Sequence, residues 1–157
     1  MTSSTILERD LRSPDAATTQ RIGAALARAA RNGDRLCLWG ELGAGKTQLA
    51  KGFAAGLGVT ATVNSPTFVL MAEYMGRLPL FHVDLYRLAD GVDAVDGGLL
   101  DERQALGVTL IEWPERLAAA LPAERLDVLI AGSGDEPRTI QLRATSPGHA
   151  HYLGAVG

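Results

Sequence analysis

The chain has 157 residues, of which 46% are apolar and 21% charged, and its formal net charge is −3. This length fits one compact domain, and the composition is that of a folded soluble protein rather than a disordered one. The acidic balance argues against firm independent binding of RNA, since nucleic-acid-binding surfaces usually carry a basic excess. No run of 18 apolar residues occurs that would predict a membrane span.

The N-terminus and the cysteine count both favour the cytoplasm. Residues 1–10 contain no basic stretch followed by an apolar one, as a secretory signal would. The single cysteine, Cys37, has no partner for an intramolecular disulfide and excludes a cysteine-based metal cage. We therefore expect one cytoplasmic domain over residues 1–157, in which 146–157 form a loosely held tail.

Strand and helix patterns alternate in the first third of the chain. Predicted in chain order are a strand at 5–11, a helix at 14–31, a strand at 36–39, a loop at 40–45 and a helix at 46–57. Ser13 is the expected N-cap of the first helix, with Pro14 at its first position. Gly33 and Gly58 are placed to end the two helices.

Strand patterns dominate the rest of the chain. We predict strands at 68–74, 78–84, 108–112, 126–130 and 140–142, and short helices at 99–106 and 114–121. The turn-rich residues 132–137 would join the last two strands in a hairpin. The order predicts an α/β fold with helices on both faces of a mixed sheet that is parallel beside the 40–45 loop.

The residues Gly40–Thr47 match the P-loop motif G-x-x-x-x-G-K-[ST] at every fixed position. Glycines let backbone N–H groups approach phosphate oxygens closely, and the helix that follows points its N-terminus at them. Lys46 would reach the β- and γ-phosphates, and the Thr47 hydroxyl would ligate Mg²⁺. The motif follows an apolar strand and opens a helix, so it predicts binding of a nucleoside triphosphate with Mg²⁺.

A second acid near Mg²⁺ is expected at the carboxyl end of a strand. Asp84 and Glu112 both qualify, and position alone leaves the choice between them open. His82 is predicted to be a hydrogen-bonded core histidine rather than a metal ligand, and Cys37 a buried strand residue. Trp113, before Pro114, is predicted to serve packing rather than chemistry, although a tryptophan beside a metal-site acid can also exclude water from the site.

Other patterns narrow the class of protein. Ser65-Pro66-Thr67-Phe68 follows the P-loop helix, at the place where GTPase-like proteins carry a γ-phosphate-sensing switch. Most Ser-Pro-Thr tripeptides, however, are turns. No N-K-x-D motif occurs and no D-x-x-G follows Asp84, which argues against a GTPase. No L-S-G-G-Q-like signature occurs, which argues against a transporter ATPase.

Four segments of the chain form a recognisable pattern: Gly40–Thr47, Ser65–Phe68, His82–Leu88 and Ile111–Arg116. In order and in spacing they resemble the TsaE (YjeE) family of bacterial ATPases of tRNA threonylcarbamoyladenosine synthesis. The P-loop motif is common to many families, but H-x-D-L-Y-R-L together with E-W-P is far more specific. The resemblance runs from about residue 11 to residue 143.

The resemblance implies a P-loop NTPase-like three-layer fold with a partly antiparallel sheet. It implies a protein that acts on the TsaD and TsaB proteins, which modify adenosine 37 of tRNA, and that contacts tRNA only through that complex. Its ATP hydrolysis would reset the complex without transferring the carbamoyl group.

The resemblance also implies roles for individual residues. Thr47 and Glu112 would be the Mg²⁺ ligands, Asp84 a Walker-B-like acid, Thr67 a switch residue and Trp113 a wall of the active site. The ATP phosphates and nucleotide would be held by Gly40, Gly43, Ala44, Gly45, Lys46, Thr47, Gln48 and Arg138. A backbone contact to the base would fall near Ala16.

Two departures from the family pattern stand out. Gln48 replaces a second threonine, which we expect to be mild because that side chain points away from the metal. Residues 91–106 fit the family loosely, so no partner contact is assigned there. Two other hypotheses remain open on the same loop: a small-molecule kinase and a nucleotide-sensing module without turnover.

Overall fold

The computed structural model describes residues 7–41, 43–61, 63, 71–86 and 102–156. Its strands are β1 Leu7–Ser13, β2 Arg35–Trp39, β3 Met71–Met75, β4 Pro79–Asp84, β5 Val108–Glu112, β6 Leu126–Ala131 and β7 Arg138–Ala144. Its α-helices are α1 Ala16–Ala29 and α2 Lys46–Gly56, and 3₁₀ segments span Glu102–Leu106, Pro114–Ala120 and Pro147–Gly154.

The seven strands form one mixed sheet in the order β1-β7-β6-β2-β5-β4-β3. The four central strands β6, β2, β5 and β4 are parallel, whereas β7, β1 and β3 join antiparallel. This confirms the predicted α/β fold with a partly antiparallel sheet. Because β7 runs against β6, β7 begins at the edge where the parallel strands end, and β1 ends at that same edge.

The sheet is covered on both faces. Alternation along β2 puts Leu36 and Leu38 on the face that packs against α1 and α2, and Cys37 on the face that packs against Leu117 of the 3₁₀ segment Pro114–Ala120. Leu36, Cys37 and Leu38 are all fully buried. Cys37 is therefore a buried strand residue, as predicted. Among the described helices, none is long and apolar enough to cross a membrane.

The two α-helices approach unusually closely because glycines line their contact. A Cβ built on Gly52 would lie 2.0 Å from the backbone oxygen of Gln20, and one on Gly23 would lie 2.3 Å from that of Leu49. Only a residue without a Cβ permits such a separation. The close packing sets the N-terminus of α1 beside the N-terminus of α2, where the predicted phosphate loop lies.

The start of α1 differs from the prediction. Asp15, not Ser13, is the N-cap: its carboxylate accepts a hydrogen bond from the Thr18 N–H at 2.7 Å. Ser13 instead ends β1 and is fully buried, with its hydroxyl 2.6 Å from that of Thr19. The strand thus extends two residues further than predicted because its pairing with β7 continues to Ser13.

The prediction of a loose tail over residues 146–157 is wrong for its described part. Pro147–Gly154 form a 3₁₀ segment, and the Tyr152 side chain is fully buried in the core beneath α1. The Tyr152 hydroxyl donates to the Asp34 carboxylate at 2.5 Å. Sequence pattern missed this segment because its few apolar residues show no helical period, and tertiary contacts hold it.

The remaining predicted elements agree with the described residues to within a few positions. Of the predicted strand at 68–74, residues 68–70 lie outside the described part of the chain, and so do residues 99–101 of the predicted helix at 99–106. The last two strands form the predicted antiparallel hairpin.

The glycine contact between α1 and α2 can be tested by Gly52→Ala. The added Cβ collides with the backbone of Gln20, and overpacking of this kind costs about 1–3 kcal/mol. We expect a lower free energy of unfolding in urea, although alanine is the better helix former by about 1 kcal/mol. Gly154→Ala is the control, because a Cβ there meets nothing within 4 Å. Equal stability of the two variants would contradict the packing argument.

Candidate functional site

The 40–47 loop, of which all residues but 42 are described, has the backbone that its glycines allow. Gly43 and Gly45 adopt φ values of +81° and +114°, in the left-handed region that side chains disfavour. A Cβ on Gly40 would lie 2.6 Å from the Ile130 backbone oxygen. Gly45 caps α2 with no side-chain hydrogen bond. The loop is thus a backbone cradle at the N-terminus of a helix, a geometry that favours anions.

Lys46 lies at the centre of the site and is 6% exposed. Its ammonium donates to the Gly40 backbone oxygen at 2.6 Å and lies 3.5 Å from the centroid of the Trp113 ring. Burial lowers the pKa of Lys46, and the negative charges of nearby carboxylates, Glu112 foremost, act in the opposite direction. The lysine is therefore a partly desolvated cation held by a carbonyl and an aromatic face.

Trp113 takes part in the site. Its backbone is left-handed, with φ 59° and ψ 50°, which is uncommon for a bulky residue and places a bend directly before Pro114. The Tyr86 ring lies 5.0 Å from the Trp113 ring, centroid to centroid. The prediction from sequence that Trp113 serves packing rather than chemistry is incomplete, because the fold brings its ring onto Lys46.

Asp84 and Glu112 end neighbouring parallel strands at paired positions. Strand alternation puts both on the face of Leu110, which packs against α1 and α2. Glu112 is 3% exposed, while Asp84 is partly buried and accepts the Tyr86 N–H at 3.0 Å. Burial raises the pKa of Asp84, and the charge of Glu112 raises it further, against the hydrogen bond from Tyr86. The two acids and Lys46 form one electrostatic cluster.

His82 contacts Glu112 directly. Its Nε2 lies 2.6 Å from Glu112 Oε2, and the two side chains are 1% and 4% exposed. The prediction of a hydrogen-bonded core histidine is confirmed. Sequence reasoning missed its partner, although a signal was present: in a strand, residues two apart share a face, which puts His82 beside Asp84 and Glu112.

Arg138 lies against the loop. Its Nε donates to the Ala44 backbone oxygen at 2.9 Å, and its guanidinium also reaches the backbone oxygens of Gly43 and Gly134. A cavity of about 350 Å³ opens here between the start of α1, the loop and the β6–β7 turn. Ala16 lines it, where the resemblance expects a base contact.

The other predicted site residues are placed as follows. Gln48 borders the same cavity, and its side-chain oxygen accepts from Gln20 at 2.7 Å. Thr47 follows Lys46 in the first turn of α2. The predicted switch segment 65–68, including Thr67, lies outside the described residues. The fold therefore brings together the loop, both acids, Trp113 and Arg138, which are far apart in sequence.

A family profile described as "Threonylcarbamoyl adenosine biosynthesis protein TsaE" matches residues 13–140 of the chain. The chain belongs to the TsaE family. The matched span contains the loop, Asp84, Glu112 and Arg138, and it ends before the C-terminal 3₁₀ segment.

Individual relatives and a solved structure support the same family assignment. The tRNA threonylcarbamoyladenosine biosynthesis protein TsaE of Bacillus subtilis (strain 168) is 46% identical over 127 residues, 80% of this chain and 79% of the relative. The protein of the same name in Treponema pallidum (strain Nichols) is 41% identical over 128 residues, 82% of this chain and 95% of the relative. The crystal structure of Bacillus subtilis YdiB matches with a TM-score of 0.79 at 37% identity, covering 97% of this chain and 95% of that one. The expected P-loop-like TsaE fold is confirmed.

Proposed function

We propose that this chain is a Mg²⁺-dependent ATPase that serves tRNA threonylcarbamoyladenosine biosynthesis. One observation carries the proposal: Lys46 lies in a glycine cradle at the N-terminus of α2, within the field of two carboxylates at strand ends. Phosphate-transferring sites are built from these parts. Membership of the TsaE family supports the biological setting.

The residues present fit a magnesium nucleotide. The backbone at Gly43 faces open space, since a Cβ there would meet nothing within 4 Å. The hydroxyl of Thr47 and the carboxylate of Glu112 are oxygen donors, which Mg²⁺ prefers, and Mg²⁺ usually takes only one or two protein ligands beside the phosphates. When bound, Mg²⁺ supplies positive charge at the phosphate oxygens.

Each of the main site residues has a defined task in this proposal. Lys46 exchanges its contact with the Gly40 oxygen for the β- and γ-phosphates, which are stronger acceptors. Glu112 and Thr47 would hold the metal, and Asp84 would act as the Walker-B-like acid. Trp113 shields the lysine from water on one side, which strengthens its interaction with phosphate.

We further propose that hydrolysis is slow in the isolated chain and rises on the TsaD–TsaB complex. Arginine fingers stabilise the transition state of phosphoryl transfer by several orders of magnitude in rate. Arg138 directs its guanidinium to backbone oxygens of Ala44, Gly43 and Gly134, which occupies its donors. A docked partner would supply the group that completes the site.

Removal of the loop lysine tests nucleotide binding. Lys46→Ala removes a charged donor aimed at the phosphates, and such bonds are worth about 1.5–3 kcal/mol, or roughly 10- to 150-fold in affinity. We expect the ATP affinity measured by calorimetry to fall by that factor. Lys51→Ala is the matched control, because Lys51 is the other lysine of the chain and is exposed on the same helix. Unchanged ATP affinity in a folded Lys46→Ala protein would refute the loop assignment.

The two acids can be separated by amide substitutions. Glu112→Gln keeps an acceptor for His82 but removes the charge, so we expect loss of Mg²⁺-dependent hydrolysis while metal-free ATP binding persists. Asp84→Asn should also slow turnover. Glu124→Gln serves as the control, because Glu124 is exposed and precedes β6 at the opposite edge of the sheet from the loop. Full hydrolysis by Glu112→Gln together with an inactive Asp84→Asn would reverse the assignment of the metal ligand.

Partner dependence is tested by steady-state ATPase assays at fixed salt. We compare the chain alone, with tRNA, and with the TsaD–TsaB complex. The proposal expects slow turnover alone, little change with tRNA because the chain is acidic, and stimulation by the complex. Fast turnover by the chain alone, or full stimulation by tRNA, would contradict it. A burst of ADP that depends on a small metabolite would favour a kinase instead.

A further inference from the structure

His82 is a buried polar side chain of the sheet that contacts the acid cluster. In the register of β4 and β5, His82 pairs with Leu110 and Asp84 pairs with Glu112. His82 therefore lies two residues before Asp84, on the same face of the sheet as the paired acids. Its Nε2 extends along the strand to Glu112 Oε2, at 2.6 Å. The contact is buried on both sides, at 1% and 4% exposure.

The hydrogen-bonding chemistry assigns a direction to this contact. A carboxylate has no proton to give, so His82 Nε2–H donates and Glu112 Oε2 accepts. The other ring nitrogen, Nδ1, is buried and has no hydrogen-bond partner within the described part of the chain. Among the described residues, Glu112 is thus the one hydrogen-bond partner of the His82 ring. No described residue accepts or donates a proton at Nδ1, so the described residues form no proton relay through His82.

The donor from His82 restrains the orientation of the Glu112 carboxylate. Its carboxylate lies near the Lys46 ammonium and the Asp84 carboxylate, which attract and repel it respectively. A side chain with several rotatable bonds would follow these charges when they move. The strong bond from His82 anchors one carboxylate oxygen to β4, and β4 is held in the sheet by β3 and β5. Hydrogen bonds to ligating carboxylates orient them in metal sites.

We propose that His82 is a positioning residue that holds the Glu112 carboxylate in the orientation that binds Mg²⁺ with ATP. The inference rests on the proposed function, since it gives His82 a role through the metal ligand assigned there. A merely structural histidine would support the fold equally with or without the metal. The two roles therefore differ in metal affinity rather than in activity alone.

The test compares three substitutions at His82. Gln places its amide nitrogen near the position of Nε2 and keeps the donor, Asn is too short to reach Glu112, and Phe keeps the ring without a donor. Mn²⁺ replaces Mg²⁺ as a paramagnetic probe, titrated by electron paramagnetic resonance with saturating ATP. His82→Phe and His82→Asn should weaken Mn²⁺ binding by about 10- to 100-fold. His82→Gln should stay close to wild type, and metal-free ATP affinity should not change in any variant.

A double-mutant cycle isolates the pathway through Glu112. If His82 acts on the metal only through that carboxylate, His82→Phe should cause no further loss of Mn²⁺ affinity in a Glu112→Gln background. His149→Phe is the matched control, because His149 is also buried but contacts the Arg35 N–H at the opposite end of β2 from the loop. Thermal unfolding of every variant separates metal effects from folding effects.

The outcomes distinguish the inference from the function on which it rests. Wild-type Mn²⁺ affinity in His82→Phe, or equal losses in His82→Gln and His82→Asn, would overturn the positioning role while the ATPase proposal stands. An additive loss in the double variant would also overturn it. Absence of ATP-dependent Mn²⁺ binding in the wild-type protein would instead overturn the proposed function itself and the inference with it.

Discussion

The positive charge of Lys46 is the constraint around which the site is organised. An ammonium group loses much of its hydration when it is buried, at a cost of several kcal/mol unless partners replace the water. Here the partners are the Gly40 oxygen at 2.6 Å, the Trp113 ring at 3.5 Å, and the field of nearby carboxylates, Glu112 foremost.

The sheet supplies those partners through its topology. Because β2, β4 and β5 are parallel, their carboxyl ends meet at one edge, and the loop and both acids converge there although they are far apart in sequence. Two antiparallel strands also reach this edge of the sheet. β7 begins there at Arg138 and β1 ends there at Ser13, and both residues border the cavity beside the loop. The mixed sheet thus builds two sides of one site.

Function in this arrangement depends on how rigidly the acids are held. Glu112 is fixed from β4 by His82, while Asp84 is fixed by the N–H of Tyr86 just beyond its own strand. The left-handed backbone at Trp113 turns its ring back over Lys46. Backbone strain of this kind persists only where surrounding contacts demand it, and such strain clusters at functional sites.

The sequence by itself determined the features that depend on neighbours along the chain. The P-loop motif, the buried strand around Cys37, the hairpin of β6 and β7, and the two acids at strand ends follow from spacing and periodicity. Tertiary structure alone decided the cap at Asp15, the burial of Tyr152, the contact of Trp113 with Lys46 and the bond from His82 to Glu112. Those features depend on contacts between residues distant in sequence, and even the local cap at Asp15 does so, because pairing of β1 with β7 keeps Ser13 in the strand. Local spacing does not show which distant side chain a folded sheet or helix will contact.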